Sequence, residues 1–399
     1  MSSNLWGLRE KIGDLWHLRT KPNVDELTNE VKKINDKLNG GNDVADMKLP
    51  SGTLEFKFAP IGNVGLFTIG HDGRFYLTEG GLFKVYDDIT SENTEPVETG
   101  ITWDVEAYGT PVDIVVADEG ITVFANTEDS TVANIYHMVD IHSTPTLVYK
   151  SVTTGTHYFT REFGIDSYFS GLHTIILAGV YGRGGDKKDL LLSKDGGLNF
   201  EVVKQTTGAG GDVNSHWHDV AIDPYHGFLW ASEGDGSDNR GVHFSDDLGE
   251  TWTTLTDEAQ PTCIIPFPHQ VVFGRDSGKP GFSVFKKPVK AEDYDNISNE
   301  SFKVLKEFLP SKAGYSYYAN AGFSKGSEAY VSFSLYAEHE IALVAGTGDF
   351  GNSWHFVHMG NRSAGNDRRR ITLMVGMDDE YIYARSHTSV VYAKKIDWI

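Results

Sequence analysis

The chain of 399 residues has one cysteine, Cys263. A single thiol cannot build an internal disulfide framework, and a zinc site made of paired cysteines is excluded with it. Its setting in the apolar run TCIIPF marks it as a buried, inert thiol. Positive charge is also scarce, with 35 Lys and Arg against 56 Asp and Glu and a formal net charge of −21. Neutralising phosphates needs clustered Lys and Arg, so the balance argues against nucleic acid and against an anionic membrane surface as partners. No apolar run approaches a membrane span, and the opening MSSNLWGLREKIGDLW holds no uninterrupted apolar stretch of the secretion-signal kind. The expectation is synthesis and folding in a cytosol, wherever the protein finally works.

Glycine and aromatic residues are plentiful, at 43 glycines and 12% aromatics, which favours many short strands and tight turns. The beginning reads differently from the rest. From Pro22 to Leu38 the apolar residues Val24, Leu27, Val31, Ile34 and Leu38 are spaced three, four, three, four. That spacing predicts a coiled-coil oligomerisation helix over 22–39, started by Pro22 and ended by Asn39 and the glycines after it. Val with Leu or Ile at the seam permits two or three strands. Residues 1–21 carry a second apolar stripe (Leu5, Leu8, Ile12, Leu15, Trp16, Leu18) suited to docking on another protein. A polar, glycine-rich linker is expected at 40–52.

From residue 53 to 399 the pattern changes to short strands of period two. The clearest unit starts at Trp217: WHDVAID, PYHG, FLWASEG, DGSDNRG, VHFS, an eight-residue turn, and TTLTD. This reads as a four-stranded antiparallel meander. First strands of like units fall near Val64, Val112, Thr160, Trp217, Thr262, Ser316 and Ile371, about 50 residues apart. Self-similarity at that period with four strands per repeat predicts a mainly β chain folded as a seven-bladed β-propeller, six blades being the alternative. The seventh unit lacks a fourth strand. The spare strand from Thr53 to Ala59 is expected to supply it, closing the ring and removing a sheet edge.

The eight-residue turn occurs three times, as SKDGGLNF from Ser193, SDDLGETW from Ser245 and TGDFGNSW from Thr347. Its fixed features are a small hydroxyl residue (Ser193, Ser245, Thr347), then Asp195, Asp247 and Asp349. Gly197, Gly249 and Gly351 follow, and the aromatic Phe200, Trp252 and Trp354 close each octet. The aspartates are suited to accept turn amides, the glycines to take positive φ, and the aromatics to bury a plate beside the blade. The octets resemble the Asp box (BNR repeat), S-x-D-x-G-x-T-W, of sialidase-like and sortilin-like propellers. The copy ending at Trp252 fits fully; the others depart at Asn199 and Phe200, and at Thr347 and Ser353. The resemblance implies a structural staple on the face away from the ligand site.

The opposite rim is then the expected binding surface. Its loops (205–216, 233–241, 181–189, 274–281 and 360–370) are long, glycine-rich and polar. Candidate ligand-binding residues on them are Arg183, His216, His218, Glu233, Asp235, Asp238, Arg240, Arg275 and Arg368. His216 and His218 share one strand face, with Asp219 pointing the other way. The pair suits a metal shared with Glu233 or Asp235, hydrogen bonds to a sugar, or a polar lining of the central channel. The segment GDGSDN lacks the full ligand spacing of a calcium loop and its distal bidentate Glu. No cofactor, metal or catalytic residue is therefore assigned. Arg368, Arg369 and Arg370 form a basic cluster suited to phosphate groups or to a solvated loop edge.

A sialidase of this fold family carries an Arg-Ile-Pro motif in its first blade. Here that blade offers only Arg74, in GRFYL, and Arg-Ile-Pro occurs nowhere. Any enzyme activity would thus be glycosidase-like without being that of a standard sialidase. The whole arrangement (docking segment, coiled coil, linker, stapled propeller) resembles bacteriophage receptor-binding or tail-fibre proteins. That resemblance implies a virion-associated homo-oligomer, a trimer in preference to a dimer, attached by its N-terminus to a tail protein and binding a host surface glycan. A glycoside hydrolase or lyase on the same propeller is the alternative.

Overall fold

The computed structural model describes residues 50–152, 155–160, 164–184, 186–206, 215–235, 241–256, 260–277, 281–288, 302–307, 316–336, 341–361, 373–386 and 388–399. The expected docking segment and coiled coil lie outside the described residues, as does nearly all of the linker.

These segments pair into seven antiparallel four-stranded blades around one axis, a seven-bladed β-propeller, in which strands such as Gly120–Asn126 and Leu229–Gly234 are buried along their whole length. The innermost strands are Val64–Ile69, Thr110–Ala117, Ile165–Phe169, His216–Ile222, Pro261–Phe267, Ser316–Lys325 and Leu373–Met377. Six begin within about three residues of the expected positions; the third begins five residues late. Before it, the side-chain amide of Asn126 clasps the backbone of Phe159 by bonds of 2.9 and 2.8 Å. That clasp ties residues just before the strand to the second blade, where Phe159 packs edge-on to Phe124.

Ring closure follows the expectation in a shortened form. Lys57–Phe58 pairs antiparallel with Ser389–Lys394 as the outer strand of the seventh blade. Leu54 N donates to Val357 O, and Pro50 bridges Trp398. Arg385 of the seventh blade reaches across the seam to donate to Gly65 O at 2.8 Å.

The core is divided into seven apolar wedges, one for each pair of neighbouring blades. Trp230 with Phe273 and Phe285 fills one such wedge, and Phe67 with Phe75 and Tyr383 closes the ring. Each wedge buries surface that a lone blade would expose to water, so the blades depend on one another.

The three octets join third to fourth strands in blades three, four and six. Each leading hydroxyl donates to its aspartate (2.9, 2.8 and 2.7 Å) and accepts the amide of the octet glycine (2.8, 2.8 and 3.2 Å). The same aspartate takes both the amide and the side chain of Asn199, Thr251 or Ser353, which is why that position carries a donor. Two successive residues in each octet have positive φ, and the first is non-glycine in two of them, Leu248 at 56° and Phe350 at 60°. The second must be glycine for a further reason. A Cβ at Gly197 would lie 1.8 Å from Thr122 Oγ1, and one at Gly351 would lie 2.6 Å from Phe267. The octet therefore seats its blade on the preceding one, as Trp354 does with its ring 4.0 Å from Phe282.

One feature has no counterpart in the sequence pattern. Among the described residues, the pairing between first and second strands shifts by a bulge in six blades, near the start of the first strand in five of them and mid-strand in the sixth blade. A bulge leaves an extra residue unpaired and re-aims its side chain. The fifth and sixth blades are also joined, with Asp276 opposite Tyr318 and Ser277 opposite Tyr317.

Candidate functional site

Strand direction places the octets at one end of the ring. First strands begin, and second strands end, at the other. His216 opens the first strand of blade four there, and Asp235 directly follows the end of its second. The bulge falls between Trp217 and Val220, so His218 and Asp219 face one residue of the partner strand. His218 swings over Gly234, where a Cβ would meet its Cε1 at 2.2 Å. Asp219 turns away, as its strand position suggested, and accepts Gly164 N at 3.0 Å and Ile264 N at 2.7 Å. Its carboxylate thus ties blade four to both neighbours.

The His216 and His218 rings are buried, with their Nε2 atoms 3.2 Å apart. His216 Nδ1 donates to Gly182 O at 3.0 Å, which leaves its Nε2 bare and makes His218 Nε2 the donor between them. Asp235 completes the cluster, with Oδ2 3.6 Å from His216 Nε2 and Oδ1 3.9 Å from His218 Nε2. Burial pushes the His218 pKa down; the Asp235 charge and the backbone of Gln260 and Pro261 act the other way. Asp235 sits at a φ of 62°, unusual for a residue with a side chain, and its amide donates to Gln260 Oε1 at 3.1 Å. Gln260 Nε2 in turn donates to Asp276 Oδ2 at 3.3 Å. Burial, with help from Asp235, pushes Asp276 up to about 6. Tyr181 covers the cluster from blade three, its ring 3.6 Å from that of His216.

The other expected residues divide. Glu233 is fully buried away from the pair, accepting the Ser215 hydroxyl with His243 Nε2 3.5 Å from its other oxygen. Arg183 is exposed beside Tyr181, its backbone bonded to Thr156. Arg275 is half-buried next to Asp276. Asp238, Arg240 and Arg368 lie outside the described residues. Arg74 stands on the octet face, paired with Asp72 at 2.6 Å and Glu98 at 2.7 Å.

Sequence reading missed Tyr181, Gln260 and Asp276, which converge from blades three and five. Tyr181 and Asp276 fall in the rim loops singled out above, whereas Gln260 lies in none of them. It also missed three carboxylates along the channel wall, Asp113, Asp166 and Asp219, which line a cavity of about 560 Å³. Burial raises the first two to about 6 and Asp219 to about 7. Backbone amides hold all three, Asp166 by taking Ile222 N of the next blade at 2.7 Å.

The fold has many solved counterparts. The Cps50 (Swd1) β-propeller domain of Myceliophteria thermophila superposes with a TM-score of 0.52 at 9% identity, over 87% of this chain and 99% of that one. A streptogramin B lyase matches with 0.50 at 11%, over 86% and 98%. The extracellular domain of a putative hybrid two-component system, BT4673 from B. thetaiotaomicron, matches with 0.50 at 12%, over 88% of this chain and 44% of that one. What is shared is the propeller. No family model and no curated protein matches the chain.

Proposed function

We propose that the protein is a recognition module that binds a hydroxyl-rich ligand, a host cell-surface glycan, through the rim around Tyr181. The observation that supports this best is the convergence of an aromatic ring, two imidazoles and two carboxylates from three blades on one rim. Such groups suit a sugar, whose apolar face stacks on an aromatic and whose hydroxyls both donate and accept. The octets, with their resemblance to the Asp box, serve as staples on the other face. The N-terminal heptads and the absence of paired cysteines favour an oligomeric adhesin of the bacteriophage tail-fibre kind. In that setting several weak sites bind one surface with avidity. The alternative, a glycoside hydrolase or lyase, is favoured by Asp276, since a carboxyl raised to about 6 is suited to proton transfer.

The test is binding of the purified full-length chain to immobilised surface oligosaccharides. A subset of glycans is expected to be retained, with Tyr181→Ala lowering affinity at least about tenfold while Asp247→Ala on the far face leaves it unchanged. Retention of no glycan refutes the reading. Turnover of a glycan that stops in Asp276→Asn moves the function to the alternative.

A further inference from the structure

The His216, His218 and Asp235 cluster has a geometry that sugar recognition does not require. We infer that these three side chains form a binding site for one divalent transition cation of the zinc type. A tetrahedral zinc with ligands about 2.0–2.1 Å away holds neighbouring ligand atoms about 3.3 Å apart. Here the two Nε2 atoms lie 3.2 Å apart, Asp235 reaches His216 with Oδ2 at 3.6 Å and His218 with Oδ1 at 3.9 Å, and one ligand atom from each residue falls within 4.8 Å of the other two. The ligand chemistry agrees, since two imidazole nitrogens and one carboxylate oxygen form a set typical of zinc with a further position left for water or ligand.

Outer partners are also in place. A ligating imidazole is held by donating its other N–H, usually to a carbonyl or carboxylate. His216 Nδ1 already donates to Gly182 O at 3.0 Å. The ion takes the place of the proton that His218 shares with His216, and the His218 ring passes to its other tautomer. Asp235, on the exposed edge, supplies negative charge and marks the side from which the ion enters. Glu233, the other carboxylate that the sequence offered, is held by Ser215 and His243 and takes no part.

The inference uses the cluster alone and does not depend on a glycan. Full-length protein stripped with a chelator is titrated with zinc chloride by calorimetry and with cobalt chloride by absorption. One ion per chain is expected, with the intense visible bands of low-coordinate cobalt. Asp235→Asn, at an exposed position that leaves the fold intact, is expected to weaken zinc binding at least about tenfold. His218→Gln is expected to abolish the cobalt bands. Absence of saturable binding at one ion per chain overturns the site. So does unchanged affinity in Asp235→Asn, or a loss in Glu233→Gln that Asp235→Asn does not share. Zinc binding that survives in a protein retaining no glycan leaves this site standing and removes only the glycan reading.

Discussion

Asp219 offers a direct test of how the blades are held together. It is half-buried on the cavity wall, it accepts amides from blades three and five, and desolvation pushes its pKa up to about 7 against those donors. A carboxyl whose pKa rises on folding binds its proton more tightly in the folded state. Its stabilising contribution is therefore full below the unfolded value near 4 and is lost as pH rises through about 7. One pH unit within that window is worth about 1.4 kcal/mol. Asp219→Asn cannot ionise, so its stability relative to the parent should improve by roughly 2 to 3 kcal/mol between pH 5 and pH 8. Asp219→Ala has no acceptor and leaves the Gly164 and Ile264 amides unpaired in the interior. It should cost about 1–3 kcal/mol for each amide at either pH. Urea unfolding followed by the fluorescence of the eight tryptophans measures both. Comparing variant with parent cancels the similar slope of Asp113, and that of Asp166 except for its charge interaction with Asp219. Parallel pH profiles for Asp219→Asn and parent, or an Asp219→Ala as stable as the parent, refute the reasoning.

Gly234→Ala places a methyl group 2.2 Å from His218 Cε1, so it should displace that ring, destabilise the fold and weaken zinc binding together; an unchanged cobalt spectrum contradicts this. Asp247→Ala removes the acceptor for Ser245 and Thr251 and should cost roughly 1–2 kcal/mol, as loss of a helix cap does, read as a lower melting temperature. Lys287→Met strands the Asp223 carboxylate, which Lys287 holds at 2.5 Å in a buried pair, and should cost about 3–5 kcal/mol. Burial acts to raise the Asp223 pKa, but Lys287 and His226 outweigh it and bring it down to about 2. The contribution of that pair should therefore persist at pH 5 and fade only as acid approaches pH 2. The double variant Asp223→Leu with Lys287→Met should recover much of the loss, as the same unfolding assay will measure.

Period-two patterning, a repeat of about 50 residues and the octets made the propeller legible before any coordinates. Each is local, because a strand face, a turn donor or a positive-φ glycine is specified by a few adjacent residues. Even the missing fourth strand and its supply from the N-terminal side followed from counting. The histidines of the rim were legible for the same reason, since residues two apart on a strand share a face. What joins them was not. Tyr181, Gln260 and Asp276 come from neighbouring blades, and the choice of Asp235 over Glu233 rests on which carboxylate Ser215 and His243 occupy. The clasp of Asn126 on Phe159, ahead of the third inner strand, likewise joins residues of different blades. The bulge between Trp217 and Val220 turns Asp219 between blades and sets His218 over Gly234. Sequence fixes what lies along a strand; only closing the ring decides what meets across it, because those contacts join residues far apart in the chain.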